Sequence, residues 1–287
     1  MTATTETRRA MAHVRDTGGT GTGVVCLHAN ASSSAQWRHL SELLAPRFRV
    51  LAADLYGAGA SPEWPSDRVI TLADEVALLA PVLAAAGSPL VLVGHSYGAA
   101  VALKAALADP RRVAALVLYE PTLFALIEQT SARPNDADGI RNAVADASLA
   151  LDAADRHGAA RRFIDYWSGE GSWESVPEQR KPQLAAQVAN VRRWGHALFG
   201  EATPLAAFAS LAMPVLYLSG KRSTAAAHGV TRLLARTLPE AELVEFESLG
   251  HMGPVTDPAT VDAAIAAFLD RVLGEHRATR ETTATHG

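Results

Sequence analysis

The chain has 287 residues, 48% of them hydrophobic and 20% charged, with a formal net charge of −4. This size and composition suit one large domain, or a domain with an insertion, and without a basic stripe they argue against a nucleic-acid partner. The single cysteine, Cys26, excludes an intrachain disulfide; no apolar run approaches the ~20 residues of a membrane helix, and the polar residues 1–9 lack the apolar segment of a secretory signal.

Short apolar runs alternate with longer helical patterns in the first part of the chain. Strands are predicted at residues 11–15, 24–28, 49–53, 90–93 and 114–119, and helices at 35–44, 72–86 and 99–108. Nearly continuous apolar strands that alternate with helices indicate a parallel sheet covered on both faces.

Residues 122–212 break this alternation. They hold no convincing strand pattern but three helical patterns, at 139–157, 159–167 and 177–199, and they are rich in aromatic residues. We interpret them as a helical cap inserted between two strands; most of its aromatic residues would form its own core and some would reach a pocket. Strands are predicted again at 215–218 and 242–246 and helices at 230–238 and 259–273, and residues 275–287 are predicted to form a flexible C-terminal tail.

The predicted strand at 90–93 leads directly into the pentapeptide Gly94-His95-Ser96-Tyr97-Gly98, which precedes a helix. So tight a turn would hold Ser96 in a strained backbone conformation and would need small neighbours, because side chains there would collide with the adjoining strand and helix. The Ser96 hydroxyl is expected at the edge of the sheet, at the positive end of the following helix. The pentapeptide also arises by chance, so its meaning depends on the rest of the chain.

Four stretches together resemble the α/β-hydrolase superfamily over nearly the whole chain. They are His28-Ala29-Asn30 with Trp37, the loop from Asp54 to Ser61, the pentapeptide, and Gly250-His251-Met252. The resemblance implies an α/β-hydrolase fold, with a mostly parallel central sheet flanked by helices. Residues 1–121 and 213–274 would form the core, residues 122–212 the cap, and no cofactor or metal would be needed. The glycines of the loop from Asp54 to Ser61 are interpreted as turn residues, since no phosphate-binding pattern follows a strand here.

In this superfamily the catalytic residues follow the order serine, acid, histidine along the chain. A serine hydroxyl is a weak nucleophile, so it needs a base, and the base needs an acid that orients it. His251 follows the last predicted strand and precedes the last helix, at the sheet edge where catalytic groups gather. We therefore predict Ser96 as the nucleophile and His251 as the base.

The acid departs from the usual pattern. The loop after the strand at 215–218, residues 219–224, contains no carboxylate, and Ser223 stands where an Asp is expected. Glu120 instead ends the strand that follows the serine helix. A right-handed crossover would put this strand beside the serine strand, ~4.8 Å away. We predict Glu120 as the acid; Asp257 is the weaker alternative and is better interpreted as the cap of the last helix.

The oxyanion hole is predicted to combine the backbone N–H of Tyr97 with a donor from Asn30, in the loop after an early strand. His28 and His95 are interpreted as structural hydrogen-bonding residues. The position of Glu120 is similar to that of the catalytic acid in haloalkane dehalogenases and some lactonases. A dehalogenase requires an Asp nucleophile, however, so Ser96 argues against that activity.

These features predict a cytoplasmic, cofactor-free serine hydrolase acting on an ester, lactone or related acyl bond of a small, moderately hydrophobic molecule. The reaction would pass through an acyl-Ser96 intermediate. Two alternatives remain open: hydrolysis of a carbon–carbon bond or acyl transfer, and a receptor-like protein that binds a ligand with vestigial activity. The sequence predicts neither the substrate nor the oligomeric state.

Overall fold

The structure, a computed structural model, describes the backbone of residues 10–284 and the side chains of residues 10–274. Residues 1–9, on which the expectation about a secretory signal rests, and residues 285–287 of the predicted tail lie outside this range. None of the helices in the described range combines the length and apolar character needed to cross a bilayer.

Within residues 10–284, seven strands form one sheet. They are β1 (Val14–Asp16), β2 (Gly23–Leu27), β3 (Arg49–Ala53), β4 (Leu90–His95), β5 (Val113–Tyr119), β6 (Val215–Gly220) and β7 (Ala241–Phe246). Their order across the sheet is β1-β3-β2-β4-β5-β6-β7. Only β1 pairs antiparallel, with β3, and the other neighbours are parallel, which confirms the predicted mostly parallel sheet.

Eleven α-helices accompany the sheet in the described range. They are α1 (Arg38–Leu44), α2 (Leu72–Ala86), α3 (Tyr97–Ala108), α4 (Ala125–Thr130), α5 (Asp138–Asp152), α6 (Arg156–Ser168), α7 (Lys181–Val188), α8 (Val191–Phe199), α9 (Ala225–Thr237), α10 (Gly253–Thr256) and α11 (Pro258–Ala284). Short 3-10 helices lie at Ser34–Trp37, Pro110–Arg112, Glu178–Arg180 and Leu205–Ser210.

Alternation along β2 divides the core into two layers. Val25 and Leu27 belong to an apolar cluster that contains residues of α2, α3, α9 and the inserted helices. Val24 and Cys26 belong to a second cluster, which contains residues of α1 and α11. Since successive side chains of a strand point to opposite faces, helices cover both faces of the sheet, as its apolar strands predict.

Residues 120–214, between β5 and β6, contain helices and no strand. The helix predicted at 177–199 is wrong as a single element, because a 3-10 helix, α7 and α8 replace it. Val188, Val191, Trp194 and Leu198 keep a helical spacing across the break and are all buried, so periodicity does not reveal the break. The six-residue α4 is too short to show a periodic pattern and was not predicted.

The two ends of the described range also differ from the predictions. β1 begins at Val14 and not at residue 11, and its three residues are those that pair with β3. The last helix, α11, continues past Gly274 to Ala284, so residues 275–284 of the predicted tail are helical. Glu275, Arg277 and Ala278 are good helix formers, and a helix that has already formed can extend over residues without an apolar pattern.

The register of β4 and β5 determines where the predicted acid lies. The two strands are parallel neighbours, and His95 pairs with Tyr119. Ser96 and Glu120 follow directly after these paired residues, so they leave the sheet side by side at its carboxyl edge. The predicted adjacency of the two strands is confirmed. On the other side of β5, Tyr119 pairs with Leu218 of β6, and the loop after β6 therefore opens at the same edge.

Candidate active site

Ser96 occupies a strained turn between β4 and α3. Its backbone angles are φ 57° and ψ −116°, a region that L-residues rarely adopt. Its N–H donates to the carbonyl of Tyr119 at 2.9 Å, and its own carbonyl accepts from the N–H groups of Ala99 and Ala100, both at 3.1 Å. The strain is therefore held by backbone hydrogen bonds to both the neighbouring strand and the helix.

The glycines on either side of Ser96 leave no room for a side chain. A methyl group at Gly94 would collide with the backbone of Ala99, and one at Gly98 would collide with the Leu27 carbonyl on β2. In both cases the obstacle is backbone, which cannot rotate away as a side chain can. The requirement for small residues at these positions is therefore steric.

We expect Gly98→Ala to destabilise the protein by about 3 kcal/mol, because overpacking against backbone forces α3 away from β2. The free energy of unfolding in urea measures this loss. Ala100→Gly, in the same helix, is the control and should cost about 2 kcal/mol, because about 1 kcal/mol of helix propensity adds to about 0.8 kcal/mol for a lost buried methyl group. A Gly98→Ala variant of wild-type stability would contradict this packing.

Three of the predicted site residues form one hydrogen-bonded chain. The Ser96 hydroxyl lies 2.9 Å from His251 Nε2, and His251 Nδ1 lies 2.7 Å from Glu120 Oε2. All three side chains are buried. The imidazole thus joins a hydroxyl on one side to a carboxylate on the other, the order of groups that can transfer the serine proton to a base.

Glu120 is held as a carboxylate by donors on both of its oxygens. Oε1 accepts from the Gly220 N–H at 2.7 Å and from the Ser219 hydroxyl at 3.1 Å, and Oε2 also accepts from the Ser223 hydroxyl at 2.6 Å. Burial alone would raise the pKa of Glu120, but the hydrogen bonds from His251, Ser223 and Gly220 outweigh it and hold the pKa below its usual value. An ionised Glu120 fixes the proton of His251 on Nδ1 and leaves Nε2 free to accept the proton of the serine.

Further contacts fix both the backbone and the ring of His251. Its backbone carbonyl accepts from His95 Nε2 at 2.8 Å, and the Tyr119 hydroxyl donates to the neighbouring Gly250 carbonyl at 2.7 Å. The indole of Trp167, on α6, stacks on the imidazole with 3.9 Å between ring centroids and 25° between planes. The sequence does not predict Trp167 in this position, because only the packing of the inserted helices brings it over the histidine.

The two other buried histidines have structural partners, as predicted. Burial lowers the pKa of His95 well below its usual value, and its Nδ1 accepts from the Gln36 amide at 3.1 Å. Burial also lowers the pKa of His28, whose Nε2 accepts from the Leu55 N–H at 3.1 Å. Both rings are therefore neutral and support the backbone around the site.

Asp257 and Ser223 have different relations to the site. The Asp257 carboxylate accepts from the N–H of Thr260 at 3.2 Å and from its hydroxyl at 2.7 Å, so it caps the start of α11. Ser223, in the loop where an acid is usual, instead donates to Glu120. An Asp at position 223 would place a second carboxylate beside Glu120, and such like charges repel. The absence of an acid after β6 and the presence of Glu120 after β5 therefore belong together, because Ser223 supports the Glu120 carboxylate.

Tyr97, predicted to supply an oxyanion donor through its N–H, is anchored by a buried carboxyl group. Its hydroxyl lies 3.1 Å from Glu75 Oε1, and the N–H of Tyr56 donates to Glu75 Oε2 at 3.1 Å. Burial raises the pKa of Glu75 to about 8, although both hydrogen bonds oppose this shift. Glu75 is therefore mainly protonated at neutral pH. The sequence does not single out Glu75, because a glutamate in the first turn of a helix is ordinarily a favourable, exposed residue.

Glu75 should make the protein less stable as the pH rises. The unfolded chain loses this proton near pH 4.5, whereas the folded protein keeps it up to about pH 8, so stability falls between these values and levels off above pH 8. The full loss amounts to about 5 kcal/mol. Glu75→Gln copies the protonated group, and we expect it to raise Tm at pH 8.5 but to leave Tm at pH 4.5 unchanged. An equal difference between variant and wild type at the two pH values would contradict a buried, protonated Glu75.

The loop from Asp54 to Ser61 supports the site through a turn. Its glycines Gly57 and Gly59 adopt φ values of 69° and 55°, which glycine reaches without strain. The Asp54 carboxylate accepts from the N–H of Ser34 at 2.6 Å and from that of Ala60 at 3.0 Å, which ties the loop to the segment that holds Asn30. These contacts agree with the interpretation of the glycines as turn residues.

Asn30 lies beside the serine. It lines a cavity together with Ser96, and it lines a second, adjacent cavity together with Tyr97. The preceding residue, Ala29, is fixed through its N–H, which donates to the Gln36 side chain at 3.2 Å, and Ala31 adopts a positive φ of 53°. Asn30 therefore shares a cavity with Ser96 and another with Tyr97, the two residues beside which the sequence predicts it.

The cavity at Ser96 is small, with about 20 Å³ of space that the centre of a water molecule can occupy. Its polar residues are Asn30, Ser96 and Thr122. The remaining lining residues are Phe124, Ile140, Val144, Phe163, Trp167, Val191, Trp194, Gly195 and Leu198. Four aromatic residues of the insertion thus line the pocket. Of the other insertion aromatics, Trp173 and Phe208 are buried in the core, and Tyr166 and Phe199 are partly buried against it.

A family model described as alpha/beta hydrolase fold matches residues 23–258. The match spans strands β2 to β7, the inserted helices and the residues of the hydrogen-bonded chain, and the chain therefore belongs to the alpha/beta hydrolase fold family. It is an enzyme of the hydrolase class.

Individual relatives include proteins with ester substrates in their names. The chain is 25% identical to the pimeloyl-[acyl-carrier protein] methyl ester esterase of Yersinia pseudotuberculosis over 253 residues, 86% of this chain and 93% of that protein. It is 39% identical to the lipase LipV of Mycobacterium tuberculosis over 113 residues, 39% of this chain and 42% of that protein. It also resembles the solved structure of a thermophilic esterase from Thermogutta terrifontis, with a TM-score of 0.68, 26% identity and coverage of 91% of this chain and 93% of that one.

Proposed function

We propose that this protein is a cofactor-free serine hydrolase that cleaves a carboxylic ester, lactone or related acyl bond of a small, moderately hydrophobic molecule. The observation that carries the proposal is the hydrogen-bonded chain of Ser96, His251 and Glu120, which opens into a cavity lined mainly by apolar side chains. The esterase and lipase relatives support ester hydrolysis in particular.

In the first half of the reaction, His251 Nε2 takes the proton of Ser96 as the hydroxyl oxygen attacks the carbonyl carbon. The carbonyl oxygen becomes an oxyanion, which the N–H of Tyr97 and a donor from Asn30 stabilise. Glu120 stabilises the imidazolium that forms. When the tetrahedral intermediate collapses, the imidazolium gives its proton to the leaving alkoxide, and the acyl group remains on Ser96.

In the second half, His251 takes a proton from a water molecule, which attacks the acyl-Ser96 ester. The second tetrahedral intermediate collapses to the carboxylic acid, and the proton returns to the Ser96 oxygen. The free enzyme is regenerated without an added oxidant, reductant or metal. The helical insertion acts as a cap, because its residues form most of the wall that would surround the acyl group.

A substrate panel tests this proposal. Aryl esters, aliphatic esters, lactones and diketones are incubated with the wild type and with Ser96→Ala, and product is followed over time. We expect turnover of at least one ester or lactone by the wild type only. Turnover of diketones alone would favour carbon–carbon bond hydrolysis, and binding without turnover of any compound would favour a receptor-like protein.

A further inference from the structure

Thr122 carries a buried hydroxyl that the fold does not use. The residue follows Glu120 by two positions, is only 1% exposed, and its N–H points at the Ser96 carbonyl at 3.4 Å. Its Oγ1 has no hydrogen-bond partner within the part of the chain that the structure describes. Because an unpaired buried hydroxyl is costly, its retention beside the nucleophile requires an explanation.

The position of this hydroxyl points to a ligand. Three other buried polar atoms lack a partner in the described residues, on Trp37, Arg141 and His228, and none of these residues lines the cavity at Ser96. Thr122 does line that cavity. Of the four residues with an orphan polar atom, Thr122 is therefore the one that belongs to the cavity where a molecule at Ser96 would lie.

The rest of the cavity limits which molecule this is. Beyond Asn30, Ser96 and Thr122 the wall is apolar and includes four aromatic residues, and the cavity, with about 20 Å³ open to the centre of a water molecule, is well below the usual size of a ligand site. A bound acyl group would thus have a compact apolar body. Since Thr122 lies against the Ser96 backbone, an oxygen that pairs with its hydroxyl belongs close to the scissile carbonyl.

We propose that Thr122 is a specificity residue that hydrogen-bonds an oxygen on the second or third carbon of the acyl chain, so that the preferred substrates are esters of 2- or 3-oxygenated acids with an apolar remainder. This proposal rests on the proposed function. A hydroxyl both donates and accepts, so hydroxy and oxo substituents both fit. A substrate without the oxygen leaves the hydroxyl buried and unpaired, which penalises its binding and its transition state alike.

Matched ester pairs test the proposal. Methyl 3-phenyllactate carries a 2-hydroxyl group that methyl 3-phenylpropanoate lacks, and the two are otherwise alike. We expect Thr122→Val to lower kcat/KM for the phenyllactate ester roughly ten- to hundredfold and to leave kcat/KM for the phenylpropanoate ester unchanged or slightly higher. Thr122→Ser, which keeps the hydroxyl, should restore the preference. An equal loss for both esters would overturn the proposal, because the hydroxyl would then serve a group common to all esters.

Two further measurements test the role of Thr122 independently of the proposed hydrolase activity. Thr122→Val should have the same Tm as the wild type or a higher one, because a methyl group replaces an unpaired hydroxyl; a lower Tm would show that the fold uses the hydroxyl and would overturn the proposal. Binding of the same esters to Ser96→Ala, with and without Thr122→Val, requires no turnover. A preference for the phenyllactate ester that disappears with Thr122→Val would uphold the role of Thr122 even if the wild type hydrolysed nothing, and equal binding of the two esters to Ser96→Ala would contradict it.

Discussion

Replacing Glu120 by Gln should lower kcat/KM for a hydrolysed ester by roughly three to four powers of ten while the protein stays folded. Both oxygens of Glu120 accept hydrogen bonds, from Gly220 on one side and His251 on the other. A glutamine must turn its NH₂ group, a donor, toward one of these donors. If it faces His251, the ring proton moves to Nε2, and the ring can no longer accept the Ser96 proton. In either orientation the negative charge that stabilises the imidazolium is lost.

Asp257→Asn is the matched control for Glu120→Gln. It makes the same change from carboxylate to amide at the only other carboxylate considered as the acid, and Asp257 caps α11 through Thr260. We expect its kcat/KM to stay within about twofold of the wild type. Circular dichroism confirms that both variants are folded. Loss of turnover in Asp257→Asn, with turnover kept in Glu120→Gln, would reverse the assignment of the acid.

Ser96→Ala should abolish nearly all turnover, with a fall in kcat of roughly four to six powers of ten. The reason is chemical, since alanine has no oxygen that can form the acyl-enzyme, while the backbone strain at φ 57° is the same for both residues. Steady-state rates with the best ester of the panel measure the loss, and Ser210→Ala, at an exposed position, is the control. A Ser96→Ala variant with more than about a tenth of wild-type kcat would show that another group is the nucleophile.

The position of Glu120 could be predicted because topology restricts it. The helix after Ser96 leads into a strand, and a right-handed crossover puts that strand beside β4. The observed pairing of His95 with Tyr119 then sets Ser96 and Glu120 at equivalent positions. What the sequence did not reveal is the hydrogen bond from Ser223 to Glu120, because it depends on how the loop after β6 closes over the carboxylate.

The pocket could be predicted only in character. Aromatic residues in the insertion indicated an apolar, aromatic-lined cavity, but their helical spacing fits a core position as well as a pocket position. Trp167 reaches the imidazole of His251, whereas Trp173 is buried in the core. The break between α7 and α8 further changes which faces of these helices meet. The assignment of each aromatic residue therefore required the packing of the inserted helices.

The burial of polar residues is the second feature that the sequence does not predict. Glu75 reads as a favourable acid in the first turn of α2, yet it is buried against Tyr97 and Tyr56. Thr122 reads as an ordinary loop residue, yet it lines the cavity of Ser96 and its buried hydroxyl has no partner in the described residues. Neither type nor spacing distinguishes these residues from solvent-exposed ones, since burial is a property of the folded neighbours.

Covalent labelling tests the reactivity of Ser96 most directly. The folded wild type is treated with a fluorophosphonate probe, and the adduct is located by mass spectrometry of the intact protein and of its peptides. We expect one adduct per chain on Ser96, none on Ser96→Ala, and much slower labelling of Glu120→Gln, because the oxygen attacks phosphorus only when His251 can take its proton. A folded wild type that remains unlabelled, or that carries its adduct on another residue, would contradict the account.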